Sequence, residues 1–159
     1  YFMKIRRATD NDVSQIVPLL DDTAKIHTEI RPDIFKNKTI EEIRNNLEEM
    51  MRLKDNNIIL VAEDKQVIKG IIICKIRNIE NHINLKNARV LWVNEICVNQ
   101  KYRRTGIGSA LIEKAKEIAK ENNCVRLELN CWELNENAIK FYKNLGLTTQ
   151  KRVMEIKIR

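Results

Sequence analysis

The sequence has few glycines and prolines and lacks any long run of hydrophobic residues. Its four glycines and two prolines are scattered, so no linker divides the chain of 159 residues. Hydrophobic residues make up 43% of the chain, which excludes a disordered protein. The longest apolar runs, residues 58–62 and 71–74, have the length of strands and are too short to cross a bilayer. We expect one domain over residues 3–159 and no membrane partner.

Patterns typical of metal sites and disulfide frameworks are also missing. The four cysteines form no Cys-x-x-Cys pair and there are only two histidines, which disfavours a zinc site. Cys74 and Cys97 lie in apolar runs, where a free thiol behaves as a small hydrophobic side chain. We therefore expect no bound metal, reduced cysteines and a cytoplasmic location.

Aromatic residues are scarce and the charge is positive. The net charge is +7, which would suit either an anionic nucleotide cofactor or nucleic acid. Most basic residues are spread along the chain, as on a solvated surface, with a small cluster at Lys101, Arg103 and Arg104. Aromatic residues make up only 5% of the chain, too few to suggest a stacking platform for RNA. Nucleic-acid binding is therefore disfavoured as a function.

Hydrophobic periodicity predicts alternating strands and helices. Strands are expected where β-branched residues are dense, at residues 4–7, 57–63, 67–77, 89–98, 125–129 and 148–158. Helices are expected after Thr9 or Asp10, over residues 39–51 and 106–122, and from Asn135 to Gly146. Pro32 predicts a loop or a broken helix over residues 27–37. The order β-α-α-β-β-β-α-β-α-β describes a mixed α/β fold with helices on both faces of a sheet.

The most informative segment joins the strand ending at Val98 to the helix beginning at Gly106. Its sequence is Arg103-Arg104-Thr105-Gly106-Ile107-Gly108-Ser109. The first turn of a helix carries unpaired N–H groups and a partial positive charge, which together bind phosphate. Glycine lets the backbone approach phosphate oxygens, and serine and arginine add donors. Tight packing of strand against helix would explain the glycines equally well, and the segment is neither a P-loop nor a dinucleotide fingerprint.

Two motifs, in this order, resemble the GNAT family of N-acetyltransferases. Arg103-x-x-Gly106-x-Gly108 is similar to that family's pyrophosphate signature, Arg/Gln-x-x-Gly-x-Gly/Ala. Residues 135–147, with the pair Phe141-Tyr142, resemble its closing motif, in which Leu147 replaces the usual phenylalanine. The resemblance implies a GNAT-like, mostly antiparallel sheet of six to seven strands. It also implies acetyl-CoA as the cosubstrate of an N-acetyltransferase.

The resemblance further assigns residues to acetyl-CoA. The backbone of Ile96, Cys97 and Val98 is expected to pair with the pantetheine arm, and an amide near Val98 to polarise the thioester carbonyl. The pyrophosphate is expected on the loop residues Arg103, Arg104, Thr105, Gly106, Ile107, Gly108 and Ser109. Further cofactor contacts are expected from Asn135, Asn137, Tyr142 and Lys143, although a solvated helix lysine is the commoner role for Lys143.

Tyr142 is the candidate proton donor to the departing CoA thiolate. A thiol has a reference pKa near 8.5 and a phenol a pKa near 10, so this transfer is mildly uphill unless the site assists it. The alternative is that Tyr142 is only an apolar partner of Phe141 and Leu145 on one face of a helix. The surrounding motif favours the catalytic role.

Glu95 is the candidate general base or base relay. Strand periodicity places it on the face that carries Leu91, Val93 and Cys97. A carboxylate among apolar side chains is costly unless it is paired or faces a wet cleft, and such surroundings raise its pKa towards a useful value. Related enzymes often carry an acidic residue here. A water-exposed glutamate, or one paired with an arginine, is the alternative.

The acceptor side is expected in the N-terminal half. His27 and Glu29 lie in the region that forms this side in the GNAT family, so both are candidates for substrate contact. A plain surface histidine is the commoner outcome. Trp132 is explained by packing.

Several functions stay open within this resemblance. The leading hypothesis is direct acetyl transfer to the primary amine of a small molecule or an amino acid. A protein N-terminal or lysine acetyltransferase would use the same chemistry, and a non-catalytic CoA-binding module would use the same fold. Dimers are common in the family, so a homodimer is a candidate assembly.

Overall fold

The computed structural model describes residues 3–55 and 57–159. In these residues the strands are β1 (Lys4–Arg7), β2 (Ile58–Asp64), β3 (Val67–Ile79), β4 (Ala88–Val98) and β5 (Arg126–Leu129). The α-helices are α1 (Val13–Ile30), α2 (Ile40–Arg52), α3 (Ile107–Glu121) and α4 (Glu136–Asn144). No helix in these residues is both long enough and apolar enough to cross a membrane.

The five strands form one mixed sheet in the order β1-β2-β3-β4-β5. Neighbouring strands run antiparallel, except that β5 lies parallel to β4. The central strands read as nearly continuous apolar runs because helices cover both of their faces. One core packs α1 and α2 against residues such as Ile71 and Ile73, and the other packs α3 against residues such as Ile72 and Leu91. The fold is therefore a GNAT-like mixed α/β sandwich.

The local signals for helix ends are largely confirmed. Thr39 and Glu42 form the predicted capping box at the start of α2, with Thr39 Oγ1 accepting from the Glu42 amide at 3.1 Å. Helix α1 is longer than predicted, because Pro32 does not end the helix as early as residue 27. The helix continues to Ile30, since proline restricts only the residue just before it. His27 and Glu29 therefore lie on a helix rather than in a loop.

The predicted final strand over residues 148–158 is absent, so within the described part of the chain the sheet has five strands rather than six or seven. Alternating apolar and charged residues give a strand only where a neighbouring edge completes its hydrogen bonds. Here side chains anchor the segment instead: Gln150 Nε2 donates to Glu128 Oε1 at 2.7 Å, and Arg31 pairs with Glu155 at 2.7 Å. The apolar side chains of this segment stay 83–92% exposed, at Val153, Met154, Ile156 and Ile158.

Candidate active site

The loop that precedes α3 presents free donors. Gly106 adopts φ +85° and forms the N-cap of α3, and Arg104 is also left-handed at φ +62°. The first amide to bond within the helix is that of Ala110, which donates to the Gly106 carbonyl at 3.0 Å. The amides of Ile107, Gly108 and Ser109 precede it and point out of the helix end. Together with exposed Arg103 and Arg104, they give this end of α3 hydrogen-bond donors and positive charge that suit an anion.

The two glycines of this loop are required for different reasons. Gly106 has open space around an added Cβ, so its positive φ is what favours glycine. An added Cβ at Gly108 would lie 2.6 Å from Cζ of Phe141. Gly108 therefore lets the Phe141 ring of α4 lie directly on α3. It serves the packing of helix against helix, whereas the alternative expected from the sequence was the packing of strand against helix.

Strands β4 and β5 pair over only part of β4. The parallel pairing joins Val90–Val93 to Arg126–Leu129 and stops there. Beyond that point, residues 95–98 pair with β3 on one side, and no described strand pairs with them on the other. An unpaired strand edge of this kind can pair with an extended ligand, here through Ile96, Cys97 and Val98. The Val98 carbonyl accepts from Arg103 Nε at 3.3 Å. This hydrogen bond joins the unpaired end of β4 to the loop that precedes α3.

A β-bulge in β4 turns Glu95 towards α1 and α2. Glu95 pairs with Ile73, whereas Val93 pairs with the next residue, Cys74, so Asn94 is the extra residue. The bulge reverses the alternation, and the prediction that Glu95 shares the face of Leu91 and Val93 is wrong. It shares a face with Cys97 only, on the side of the α1–α2 core.

The surroundings of Glu95 suit a general base. Burial raises the pKa of its carboxyl from 4.5 to about 7, although Lys38 nearby lowers it. Among the described residues Glu95 has no ion-pair partner, so the alternative of an arginine pair is not found, and its side chain is half-buried at a cavity. A carboxylate with a pKa near neutrality can take a proton from an amine and release it to water.

Next to Glu95, Cys97 is a protonated thiol. Its Sγ lies 2.9 Å from Thr23 Oγ1 and 4.0 Å from Glu95 Oε2. Burial and the Glu95 charge raise the pKa of Cys97 to about 12. At neutral pH this thiol carries its proton and is a poor nucleophile.

Tyr142 lies on α4 within electrostatic reach of Glu95 and Cys97. Burial raises the pKa of its hydroxyl well above 10, and Cys131, Cys97 and Glu95 nearby raise it further. The ring is held 5.3 Å from that of Phe141, which in turn packs on Gly108. The position fits a proton donor that remains protonated at any physiological pH. Proton release is harder here than for a free phenol.

The remaining residues that are expected to contact the cofactor lie at the start of α4 or within this helix. Asn135 caps the helix, its side-chain oxygen accepting from the Ala138 amide at 3.3 Å, which leaves its NH₂ group for a ligand. Asn137 and Lys143 are exposed.

A cavity of about 350 Å³ reaches Glu95 from the α1–α2 side. Its lining combines an apolar floor, an aromatic wall and polar groups, from Leu20, Ala24, His27, Phe35, Lys36, Lys38, Ile43, Asn46, Met50, Ile73, Trp92, Val93, Asn94, Glu95, Asn130 and Trp132. This volume and mixture are typical of a small-molecule site. A larger groove of about 580 Å³ lies beside the C-terminal segment, between charged residues, and no predicted site residue lines it.

His27 lines the cavity, whereas Glu29 does not. The His27 ring stacks on Phe35 with centroids 4.9 Å apart, and Phe35 meets Trp132 edge-on at 5.3 Å. Burial, and then Lys38, lower the pKa of His27 below 6.5, so the imidazole is neutral at pH 7. Glu29 is exposed on the outer face of α1.

Sequence reasoning missed several residues of this cavity. Phe35, Lys36 and Lys38 lie in a loop with no periodic pattern, and Trp132 was explained by packing alone. The bulge at Asn94 has no sequence signature either, since it depends on the register against β3. A signal was available in the loop composition, because an aromatic residue, Phe35, is followed by two lysines just before a helix cap.

Comparison with known proteins places this site in context. A sequence profile of the acetyltransferase (GNAT) family matches residues 20–147. Human N-alpha-acetyltransferase 30 is 34% identical over 84 residues, which are 53% of this chain but only 22% of that protein. The chain thus spans about a fifth of the length of this relative.

Solved structures share the fold along almost the whole chain. A Bacillus halodurans protein, solved as a mutant, has a TM-score of 0.91 at 23% identity, covering 98% of this chain and 99% of that one. An aminoglycoside N-acetyltransferase in complex with CoA has a TM-score of 0.78 at 18% identity, covering 99% of this chain and 95% of that one.

Proposed function

Since the family profile covers most of its length, the chain belongs to the GNAT family of acetyltransferases, and we propose that residues 3–159 transfer the acetyl group of acetyl-CoA directly to a primary amine of a small molecule or an amino acid. The observation that carries this proposal is the position of Glu95. Its carboxyl, with a pKa near 7, lies where the acceptor cavity meets the opening between β4 and β5.

The chain's own donors fit acetyl-CoA. The free amides at the start of α3, with Arg103 and Arg104, offer both hydrogen bonds and positive charge to a pyrophosphate. The unpaired edge at residues 96–98 offers backbone hydrogen bonds to the amides of a pantetheine arm. The structural neighbour solved with CoA supports the same assignment.

In the proposed reaction the amine nitrogen attacks the thioester carbonyl carbon, so an N–C bond forms and the carbonyl electrons move to oxygen. When the carbonyl re-forms, the C–S bond breaks and sulfur leaves with the electron pair. The ammonium proton passes to Glu95 and from there to water. Tyr142 gives its proton to the departing sulfur and recovers one from solvent. Because the pKa of Tyr142 is raised, this transfer accompanies C–S cleavage rather than preceding it.

Direct transfer is favoured over an acyl-enzyme. Cys97 is the thiol beside Glu95, and it is buried with a pKa of about 12. Cys131 is exposed as a residue, but partial burial of its thiol, together with the charge of Glu133, raises the pKa of this thiol as well. Neither is poised as the thiolate that an acyl-cysteine intermediate requires.

A peptide N-terminus is the second candidate acceptor. The identity to human N-alpha-acetyltransferase 30 favours it, and nothing about the chemistry at Glu95 distinguishes the two acceptors. A panel of free amino acids, small amines and short peptides separates them by kcat/KM.

The proposal is tested by following thiol release from acetyl-CoA with this panel and identifying the acetylated product by mass spectrometry. We expect thiol release that depends on the amine and falls at least about 100-fold in Glu95→Gln. Binding of acetyl-CoA with no thiol release for any amine would instead indicate a non-catalytic CoA-binding module.

The assembly and location are further proposals. We propose a homodimer, supported by the exposed apolar side chains of the C-terminal segment, such as Ile156 at 83% exposure. Light scattering should give a dimer mass for the wild type and a lower mass for Ile156→Glu; a monomeric wild type would contradict it. The four free cysteines support a reducing compartment such as the cytoplasm.

A further inference from the structure

The acceptor cavity has an asymmetric charge distribution. Its one carboxyl group, Glu95, lies against β4, whereas both of its lysines, Lys36 and Lys38, come from the loop between α1 and α2. The cavity also carries a row of aromatic rings, in which His27 stacks on Phe35 and Phe35 meets Trp132 edge-on. A ligand in the cavity can therefore meet a proton acceptor, an aromatic wall and two ammonium groups.

The two lysines are not committed elsewhere. Among the described residues neither takes part in a salt bridge or a side-chain hydrogen bond. Their charges also lower the pKa of the Glu42 carboxyl, which already accepts from the Thr39 amide at 2.8 Å. By contrast Arg31, at the outer edge of the same wall, is held by Asp33 and Glu155.

The positive charge of Lys38 also acts on two other residues that line the cavity. Its charge lowers the pKa of both Glu95 and His27, so it lies within electrostatic reach of each. Glu95 is close to half protonated at pH 7, and His27 is neutral. The cavity as a whole is therefore cationic, which repels a second positive charge on the acceptor.

Resting on the proposed function, we infer that the acceptor is a small primary amine that also carries an anionic group, a carboxylate or a phosphate, joined to the amine by an apolar body. The amine lies at Glu95, the apolar body lies along Phe35 and Trp132, and the anion lies at Lys36 and Lys38. Diamines and other polycationic amines are poor acceptors, because their second charge meets the lysines instead of a carboxylate.

The test compares amines of similar length that differ in their far end: 5-aminopentanoate, 3-aminopropyl phosphate, n-pentylamine and 1,5-diaminopentane. We expect kcat/KM to be at least about tenfold higher for the two anionic amines than for the other two. The better of the two anionic amines identifies carboxylate or phosphate as the preferred group.

The double variant Lys36→Gln/Lys38→Gln locates the effect. It should lose about tenfold in kcat/KM, mainly through KM, for the anionic amines. For n-pentylamine the loss should be smaller, because only the further rise in the pKa of Glu95 affects it. The matched control Lys4→Gln/Lys86→Gln removes the same charge from exposed lysines outside the cavity and should leave all four rates unchanged.

Acetylation of n-pentylamine or 1,5-diaminopentane as fast as the anionic amines would overturn this inference and leave the proposed function standing. A higher kcat/KM for a tetrapeptide amide without acidic side chains would also overturn it, in favour of a peptide N-terminus. Turnover of no amine at all would contradict both the inference and the proposed function.

Discussion

At the scale of single residues, Glu95 combines a charge that catalysis needs with a burial that penalises this charge. Its sequence neighbours identify it as a carboxylate in an apolar strand, and the structure adds the bulge at Asn94 that turns it into the cavity. With a carboxyl pKa near 7 in the folded protein and 4.5 as the ordinary value, the folded state holds the proton more tightly than the unfolded state. The contribution of Glu95 to stability should therefore fall as pH rises from about 4.5 through about 7.

We predict that Glu95→Gln is more stable than the wild type at alkaline pH. The stabilisation should be about 2 kcal/mol larger at about pH 8.5 than at about pH 4.5, because only the carboxylate form is penalised by burial. Urea denaturation at the two pH values measures this difference, with Glu29→Gln, an exposed glutamate, as the control. The same stabilisation at both pH values would contradict the raised pKa of Glu95.

The activity of the wild type should rise with pH up to about 7, since the carboxylate form of Glu95 is the base. In Glu95→Gln we predict a kcat/KM lower by at least about 100-fold and without this rise. Comparing the two proteins with the same amine cancels the titration of the amine itself. A variant that keeps the rise would remove Glu95 from the role of base.

Tyr142→Phe removes only a hydroxyl group, so acetyl-CoA affinity should be kept while kcat falls by about 100-fold. Because the pKa of Tyr142 is raised, we also expect no decline of wild-type kcat near pH 10. The matched control is Tyr102→Phe, whose ring lies under Lys69 at 4.5 Å outside the cavity. An unchanged kcat in Tyr142→Phe, with chemistry rate-limiting, would exclude Tyr142 as the proton donor.

At the scale of elements, the contact between α3 and α4 connects the loop before α3, where we propose the pyrophosphate, to Tyr142, the proposed proton donor. Phe141 lies on Gly108, and Tyr142 follows it in the chain. A substitution at Gly108 is therefore expected to disturb the packing of α3 against α4 first, and the binding of the pyrophosphate only in addition. It is a probe of packing rather than a clean probe of the cofactor site.

We predict that Gly108→Ala lowers the free energy of unfolding by about 1–3 kcal/mol, because its Cβ overlaps the Phe141 ring. Phe141→Leu should cost stability by itself but relieve the overlap, so the double variant should be more stable than the sum of the two changes predicts. Chemical denaturation of the four proteins measures the coupling. Additive losses would show that the ring and the glycine do not contact.

Elements with strong local signals could be predicted from the sequence, and elements that need a partner could not. The order of the first nine elements, the capping box at Thr39 and the cap at Asn135 are confirmed because each depends on neighbouring residues. The prediction of a strand over residues 148–158 was wrong, because alternating apolar and polar residues do not by themselves provide a neighbouring strand to pair with. The face predicted for Glu95 was wrong because a bulge reverses the alternation of side chains, and this bulge depends on the register of β4 against β3.

At the scale of the whole molecule, the sheet brings three separately encoded features to one place. The phosphate loop precedes α3, Tyr142 lies on α4, and Glu95 projects from β4 towards α1 and α2. The two family motifs predicted the first two features. The acceptor cavity could not be predicted in the same way, since its lining comes from four elements, α1, α2, β3 and β4, and from the loops before α2 and after β5.

The central claim, that this site takes acetyl-CoA, is tested most directly by calorimetric titration of acetyl-CoA into the wild type and Arg103→Ala/Arg104→Ala. The control is Lys120→Ala, an exposed basic residue at the far end of α3, roughly 20 Å from the loop. We predict saturable binding to the wild type and to Lys120→Ala, and an affinity at least about tenfold weaker in the double arginine variant. No binding to the wild type, or equal binding to all three proteins, would contradict the account.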